Sequence, residues 1–171
     1  MAKKENIPNY SVILDTSFII RLLDLNSPLH QNAVDYFRYF LNNDIPLYFS
    51  TISVAEYCVK GDFNDLPFNN LRILPFNIFH AKEAGIFTRI LFNAKRNGEL
   101  IVKERVVVPN DSKILAQGSY EKGIKYFVTS DSESLKFIDV LRKVGATDLE
   151  HLDINTPCGI KFGYLELEEN E

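Results

Sequence analysis

The chain has 171 residues, 46% hydrophobic and 25% charged, which is enough apolar material for one enclosed core and excludes an intrinsically disordered chain. A net charge of −4 excludes a strongly basic coat for nucleic acid, although carboxylates that hold cations stop counting against a polyanion. Cys58 and Cys158 are too few and too far apart for a disulfide framework or a zinc site.

The opening residues 1–6 are polar and lead into no signal-peptide core. The apolar stretch 12–25 is interrupted by Asp15, Arg21 and Asp24 and is too short to span a bilayer. A soluble, cytoplasmic protein with no membrane partner is expected. Residues 10–15 are a short apolar run ending in Asp15, which predicts a buried strand, and residues 16–24 continue at once as a helix. Residues 28–43 predict an amphipathic helix with Val34, Phe37 and Leu41 on its buried face. Residues 45–49 predict a second strand, followed by a helix that begins at Ser50 or Thr51, buries Ile52, Ala55 and Val59, and stops near Gly61.

A polar loop is expected over residues 62–70 and a third strand over 71–76, shortened by Pro75. Residues 79–97 predict a long helix with Ala84, Phe87, Leu91 and Ala94 on one stripe. Residues 101–108 are β-rich, and Pro109 turns the chain into a helix that starts near Asp111, with Asn110 as its cap. A fourth strand follows at 124–129, then a helix at 130–144 with Phe137, Val140 and Val144 in register, then an edge strand at 149–154. The last six residues are nearly all acidic. Alternating strands and helices predict a mostly parallel sheet covered on both faces. The domain plan is a polar extension over 1–9, one α/β domain over 10–156, and a C-terminal segment over 157–171.

Four acids fall at strand-to-helix junctions: Asp15, Glu56, Asp111 and Asp131. In a parallel sheet those junctions share the carboxyl edge, where ligand sites of open α/β sheets lie. Each acid also has an ordinary reading. Asp15 fits a helix cap, Ser53 to Glu56 and Ser130 to Glu133 have capping-box spacing, and Asp111 fits a first-turn acid that favours the helix dipole. Taken together the four are harder to dismiss. Two carboxylates about 4 Å apart repel by roughly 1–4 kcal/mol, so converging acids must bind protons or a cation. Hard oxygen donors with no His or Cys among them suit Mg²⁺ or Mn²⁺, and such ions suit phosphoryl hydrolysis.

Four segments carry a resemblance. Val12-Ile13-Leu14-Asp15-Thr16-Ser17 is similar to the opening motif of PIN-domain nucleases, and Ser50 to Tyr57 resembles their second acidic segment. Asn110 to Ala116 resembles the family's Asn-Asp helix start, and Tyr126 to Asp131 resembles its strand ending in Thr-x-Asp. The order is right and the match covers most of residues 10–155. The resemblance implies a three-layer α/β/α sandwich with a central, mostly parallel sheet of four to five strands. It implies an RNA-cleaving, metal-dependent site in which Asp15, Glu56, Asp111 and Asp131 are the catalytic and metal-binding acids. Ser17 and Thr129 match hydroxyls that orient those acids. It further suggests the VapC-like toxin branch, with an antitoxin partner that covers the site and a homodimer.

The family's fourth segment often continues with an acid two residues on and then an aromatic; here Glu133 and Ser134 stand in that place. Glu133 is therefore an alternative metal ligand beside Asp131. The chain is also longer than compact toxins of this type. Arg21, Lys60 and Lys113, with Lys136, lie near the motifs and are the candidate phosphate contacts, set against the ordinary reading of solvated helix residues. Lys95-Arg96 and Lys103-Glu104-Arg105 are candidates to flank a groove, whereas His30, His80 and His151 have no partner pattern. The aromatics between Tyr36 and Phe40 read as core. A haloacid-dehalogenase-type phosphatase needs a second Asp where Ser17 stands, and a phosphoacceptor receiver needs a paired acid and a later Lys that are absent. The rival from another class is a PIN-like module that binds RNA or assembles without cutting.

Overall fold

A computed structural model describes residues 9–102 and 109–163. The sheet has five strands in the order β3-β2-β1-β4-β5, and every adjacent pair is parallel. They are β1 (Ser11–Leu14), β2 (Leu47–Ser50), β3 (Arg72–Leu74), β4 (Ile124–Thr129) and β5 (Glu150–Asp153). The helices are α1 (Thr16–Leu23), α2 (His30–Asn42), α3 (Thr51–Tyr57), α4 (Ile78–Arg96), α5 (Pro109–Tyr120), α6 (Ser132–Lys143) and α7 (Cys158–Phe162). The result is a three-layer α/β/α sandwich.

Alternation along the strands decides which layer each residue serves. Val12, Leu14, Phe49 and Val128 meet α1, α2 and the Cys158 turn of α7 in one apolar cluster. Ile13 and Phe127 point the other way, into a cluster built from Ala84, Phe87 and Leu91 of α4 with α5 and α6. Both faces are covered, which is why the strands read as continuous apolar runs. Among the described residues no helix is long and apolar enough to cross a membrane.

Several expected faces are rotated. The buried side of α2 is Ala33, Tyr36 and Phe40, while Leu41 is exposed. Tyr36 donates its hydroxyl to the Thr156 carbonyl at 3.0 Å, and Tyr39 stacks on Phe162 with ring centroids 4.0 Å apart, so α7 claims a side that spacing alone left open. In α3 the buried residues are Ser53 and Tyr57, while Val59 lies beyond the helix and is exposed. In α6 Phe137 is buried and Val140 packs against the core as expected, Ile138 and Leu141 join them, and only Val144 is exposed. The α4 stripe is as expected, with His80 added: Asn77 and His80 form a reciprocal capping box, and His80 Nε2 lies 2.9 Å from Glu121 Oε1. Of the β-rich run at 101–108, residues 101–102 are in no strand and 103–108 lie outside the described residues.

The helix that carries Asp111 is pressed close to the sheet. A Cβ on Gly118 of α5 would stand 2.9 Å from Ile13 Cγ2 and 3.2 Å from Leu149 Cδ2. Gly118→Val should therefore lower stability by about 1–3 kcal/mol despite better helix propensity, through overpacking. Urea unfolding measures this, and an unchanged midpoint would contradict the close approach.

Candidate functional site

The strand order reverses direction between β1 and β4, so the chain leaves these neighbours on opposite sides and opens a crevice at their carboxyl ends. Asp15 follows β1 and Asp131 lies just past β4. Asp15 is buried, and it does not cap α1 with its side chain. Its Oδ2 instead accepts the Ser17 hydroxyl at 2.6 Å and the Thr129 hydroxyl at 2.8 Å. Each hydroxyl is set in turn by a backbone amide: Ser130 N–H donates to Ser17 Oγ at 3.0 Å and Asp131 N–H to Thr129 Oγ1 at 2.9 Å. With both protons directed at Asp15, the orientation of this carboxylate is fixed from the ends of β1 and β4 together. Ser17 and Thr129 thus both bond the Asp15 carboxylate.

Asp111 lies in the first turn of α5, which begins at Pro109 and not at a capping Asn110. Burial pushes its carboxyl up to about 7, the negative charges of Asp15 and Asp131 push in the same direction, and Glu56 adds to them. The Ser134 hydroxyl opposes the shift, lying 3.2 Å from Asp111 Oδ2 and 3.5 Å from Asp131 Oδ2. Burial likewise raises Asp15, against the pull of Ser17, Thr129 and the Thr16 amide; the charge on Glu56 raises it further. Asp131 is the cap of α6, Oδ1 accepting from Glu133 N–H at 3.0 Å, so the cap falls one residue after the Ser130 that the Ser130–Glu133 spacing predicted, and Glu133 turns its side chain to Lys136 instead. The expected Ser53–Glu56 capping box is not formed: Ser50 caps α3, and Glu56 Oε2 accepts the Thr16 hydroxyl at 2.5 Å.

Glu133 is drawn elsewhere. Its Oε1 pairs with Lys136 Nζ at 2.8 Å, and its Oε2 is buried with no hydrogen-bond partner. Lys136 also donates to the Ile101 carbonyl, so that cation is occupied. Lys60 lines a hollow of about 840 Å³ with Thr16, Ile20, Glu56 and Tyr57, beside the acids. Lys113 reaches Asn110 Oδ1 at 3.3 Å, and Arg21 sits in the last turn of α1 with its Nε buried. Lys95 and Arg96 close α4 at its C-terminal end, away from the strand–helix junctions, and Lys103–Arg105 lie outside the described residues. His30, His80 and His151 are engaged with Arg21 O, Glu121 and Asp139.

Among the described residues no three acid, His or Cys side chains are gathered into a ready-made cation cage. The Thr16 and Ser134 hydroxyls engage the oxygens of Glu56 and Asp111. Neither hydroxyl was singled out from the sequence. Thr16 carried a signal, being next to Asp15 in the first motif, whereas Ser134 stands where the family's pattern has an aromatic.

No protein-family model and no curated protein matches the chain by sequence. By structure it is similar to VapBC2 from Rickettsia felis bound to a promoter DNA fragment, at 17% identity and a TM-score of 0.52, covering 83% of this chain and 98% of that one. It is similar to DNA-bound VapBC from Salmonella typhimurium, at 17% identity and 0.52, covering 85% and 98%. A third is VapC20 from Mycobacterium tuberculosis, a sarcin–ricin loop cleaving toxin, at 14% and 0.50, covering 81% and 98%. The chain has a VapC-like PIN fold.

The raising of Asp111, by burial first and by neighbouring charges next, has a consequence for stability without metal. A carboxyl raised in the folded state contributes stability that is complete below its unfolded value, near 4, and is lost as pH rises through about 7. Asp111→Asn removes that loss. In metal-free buffer the variant should be more stable than the parent above pH 7, by roughly 1–3 kcal/mol, with the advantage fading toward pH 4. Urea titrations across pH 4–8 test it, and a parent whose stability rises over that range relative to the variant would contradict it.

Proposed function

We propose that this chain is a divalent-metal-dependent endoribonuclease that hydrolyses RNA phosphodiester bonds, acting as the toxin of a toxin–antitoxin module. The carrying observation is that Ser134 Oγ lies within 3.2 Å of Asp111 and 3.5 Å of Asp131, with Asp111 raised first by burial and then by the charges of Asp15, Asp131 and Glu56. Carboxylates that disfavour one another's ionisation form a site for a cation, and an all-oxygen donor set matches Mg²⁺ or Mn²⁺. Asp15, Asp111 and Asp131 would hold it, with Glu56 completing or extending the set. When bound, such an ion neutralises phosphate charge and makes a water more acidic.

The chain's own groups do the positioning. Ser17 and Thr129 hold one oxygen of Asp15, which fixes how its carboxylate is presented. The Ser134 hydroxyl bridges toward Asp111 and Asp131 and keeps them at the same rim. Thr16 restrains Glu56 from the start of α1. Water attacking phosphorus in line with the 3′ oxygen leaves a 3′-hydroxyl and a 5′-phosphate. Lys60, Lys113 and Arg21 are the nearest candidates for phosphate contacts. The likeness in fold to VapC proteins, two of them in VapBC complexes, supports the toxin reading and an antitoxin protein as partner. A homodimer belongs to the same reading, as does a cytoplasmic location.

The test is cleavage of a mixed single-stranded RNA pool with Mn²⁺, with end-group analysis. Asp15→Asn and Asp111→Asn should fold and lose cleavage by about 10²-fold or more. Mn²⁺ at millimolar concentration should raise the melting temperature of the parent, since a ligand of the folded state stabilises it. No cleavage and no thermal shift would leave the inactive RNA-binding or assembly module as the better reading.

A further inference from the structure

We propose that Gln117 is a positioning residue that sets the spacing between the helices carrying Asp111 and Glu56; this rests on the nuclease reading above. Gln117 lies in α5 and is fully buried. Its Oε1 accepts the hydroxyl of Ser50, itself fully buried, in a short hydrogen bond, and its Nε2 donates to the Leu74 carbonyl at 3.1 Å. Ser50 Oγ in turn accepts from Ile52 N–H at 3.0 Å, capping α3. One amide therefore ties α5 to the last residues of β2 and β3 and to the start of α3.

The two acids stand equally far from this tie. Asp111 is six residues from Gln117 along α5 and Glu56 six residues from Ser50 along α3, about 9 Å in each helix. Between their outer turns the helices part around a hollow of about 370 Å³, lined by Thr51, Ile52, Ala55, Glu56 and Asn110. With that gap between the acid-bearing turns, the joint beneath sets how the two helix backbones diverge, while Thr16 and Ser134 hold the carboxylates at their tips. A tilt of about 10° at that joint moves an acid by about 1.5 Å, and misplacement of about 1 Å can cost a hundredfold in rate.

An apolar side chain of similar volume would avoid the desolvation cost of a buried amide. What it cannot supply is direction. Hydrogen bonds to a hydroxyl and a carbonyl favour one orientation, while apolar packing tolerates several. The amide thus defines the register of two acid-bearing helices more sharply than packing does.

Full-length parent, Gln117→Met, Ser50→Ala and the double variant are compared by Mn²⁺ binding, followed by electron paramagnetic resonance, and by RNA cleavage. Leu91→Ala, in the α4 core, controls for loss of stability alone. The expected result is that both single variants melt cooperatively, bind Mn²⁺ at least about threefold more weakly and lose about tenfold in kcat, with KM for RNA unchanged. The double variant should lose no more than the worse single one, as for partners in one interaction. Leu91→Ala, assayed below its melting temperature, should bind and cleave like the parent. If Gln117→Met does not fold, Ser50→Ala carries the same comparison. Parent-like Mn²⁺ affinity and kcat in the folded variants would overturn the positioning role and leave the nuclease reading standing. A parent that neither binds Mn²⁺ nor cleaves RNA would overturn both.

Discussion

Two hydroxyls fix the centre of this protein. Ser17 from α1 and Thr129 from the end of β4 both give their protons to one oxygen of Asp15, and each is aimed by a backbone amide of the turn after β4. Through them a buried carboxylate is held at the meeting point of β1 and β4. Asp15 and Asp131 then load Asp111, which burial has already made hard to ionise. The other contacts are responses to that concentration of charge: Ser134 beside Asp111 and Asp131, Thr16 on Glu56.

Sheet order makes the gathering possible. Because β1 lies between β2 and β4, the chain ends of all three strands open on one rim, and residues more than a hundred positions apart become neighbours. Glu56 arrives on the helix after β2 and Asp131 at the turn after β4. Asp111 alone comes from a helix that leads into a strand, α5, and its place depends on how closely that helix can lie. The near approach at Gly118 and the Gln117 tie both act on that distance. Packing and site geometry are the same problem at α5.

The sequence revealed element types because they depend on local order: short apolar runs, each followed at once by a stretch of helical spacing. The α4 stripe of Ala84, Phe87, Leu91 and Ala94 was legible for the same reason. Buried faces of α2 and α3 were misjudged where a second partner intervenes, whereas on α6 only Val144 was misplaced. Tyr36 is covered from the α7 side, and Tyr57 packs its ring where Gly61 has no side chain. Capping-box spacing at Ser53–Glu56 misled, because a residue can match the pattern while the helix has already begun at Thr51. Ser134 and Gln117 act through partners 23 and 67 residues away, and no local pattern announces such pairings.

Proton and cation compete for the same carboxylate if Asp111, raised by burial and by its charged neighbours, is part of the site. Mn²⁺ affinity measured on the parent from pH 5 to 9 is the most direct probe. Affinity should climb about tenfold per pH unit while Asp111 still holds its proton, then level off above about 7. An affinity that stays constant from pH 5 to 7 would contradict a proton-holding Asp111 as part of the cation site.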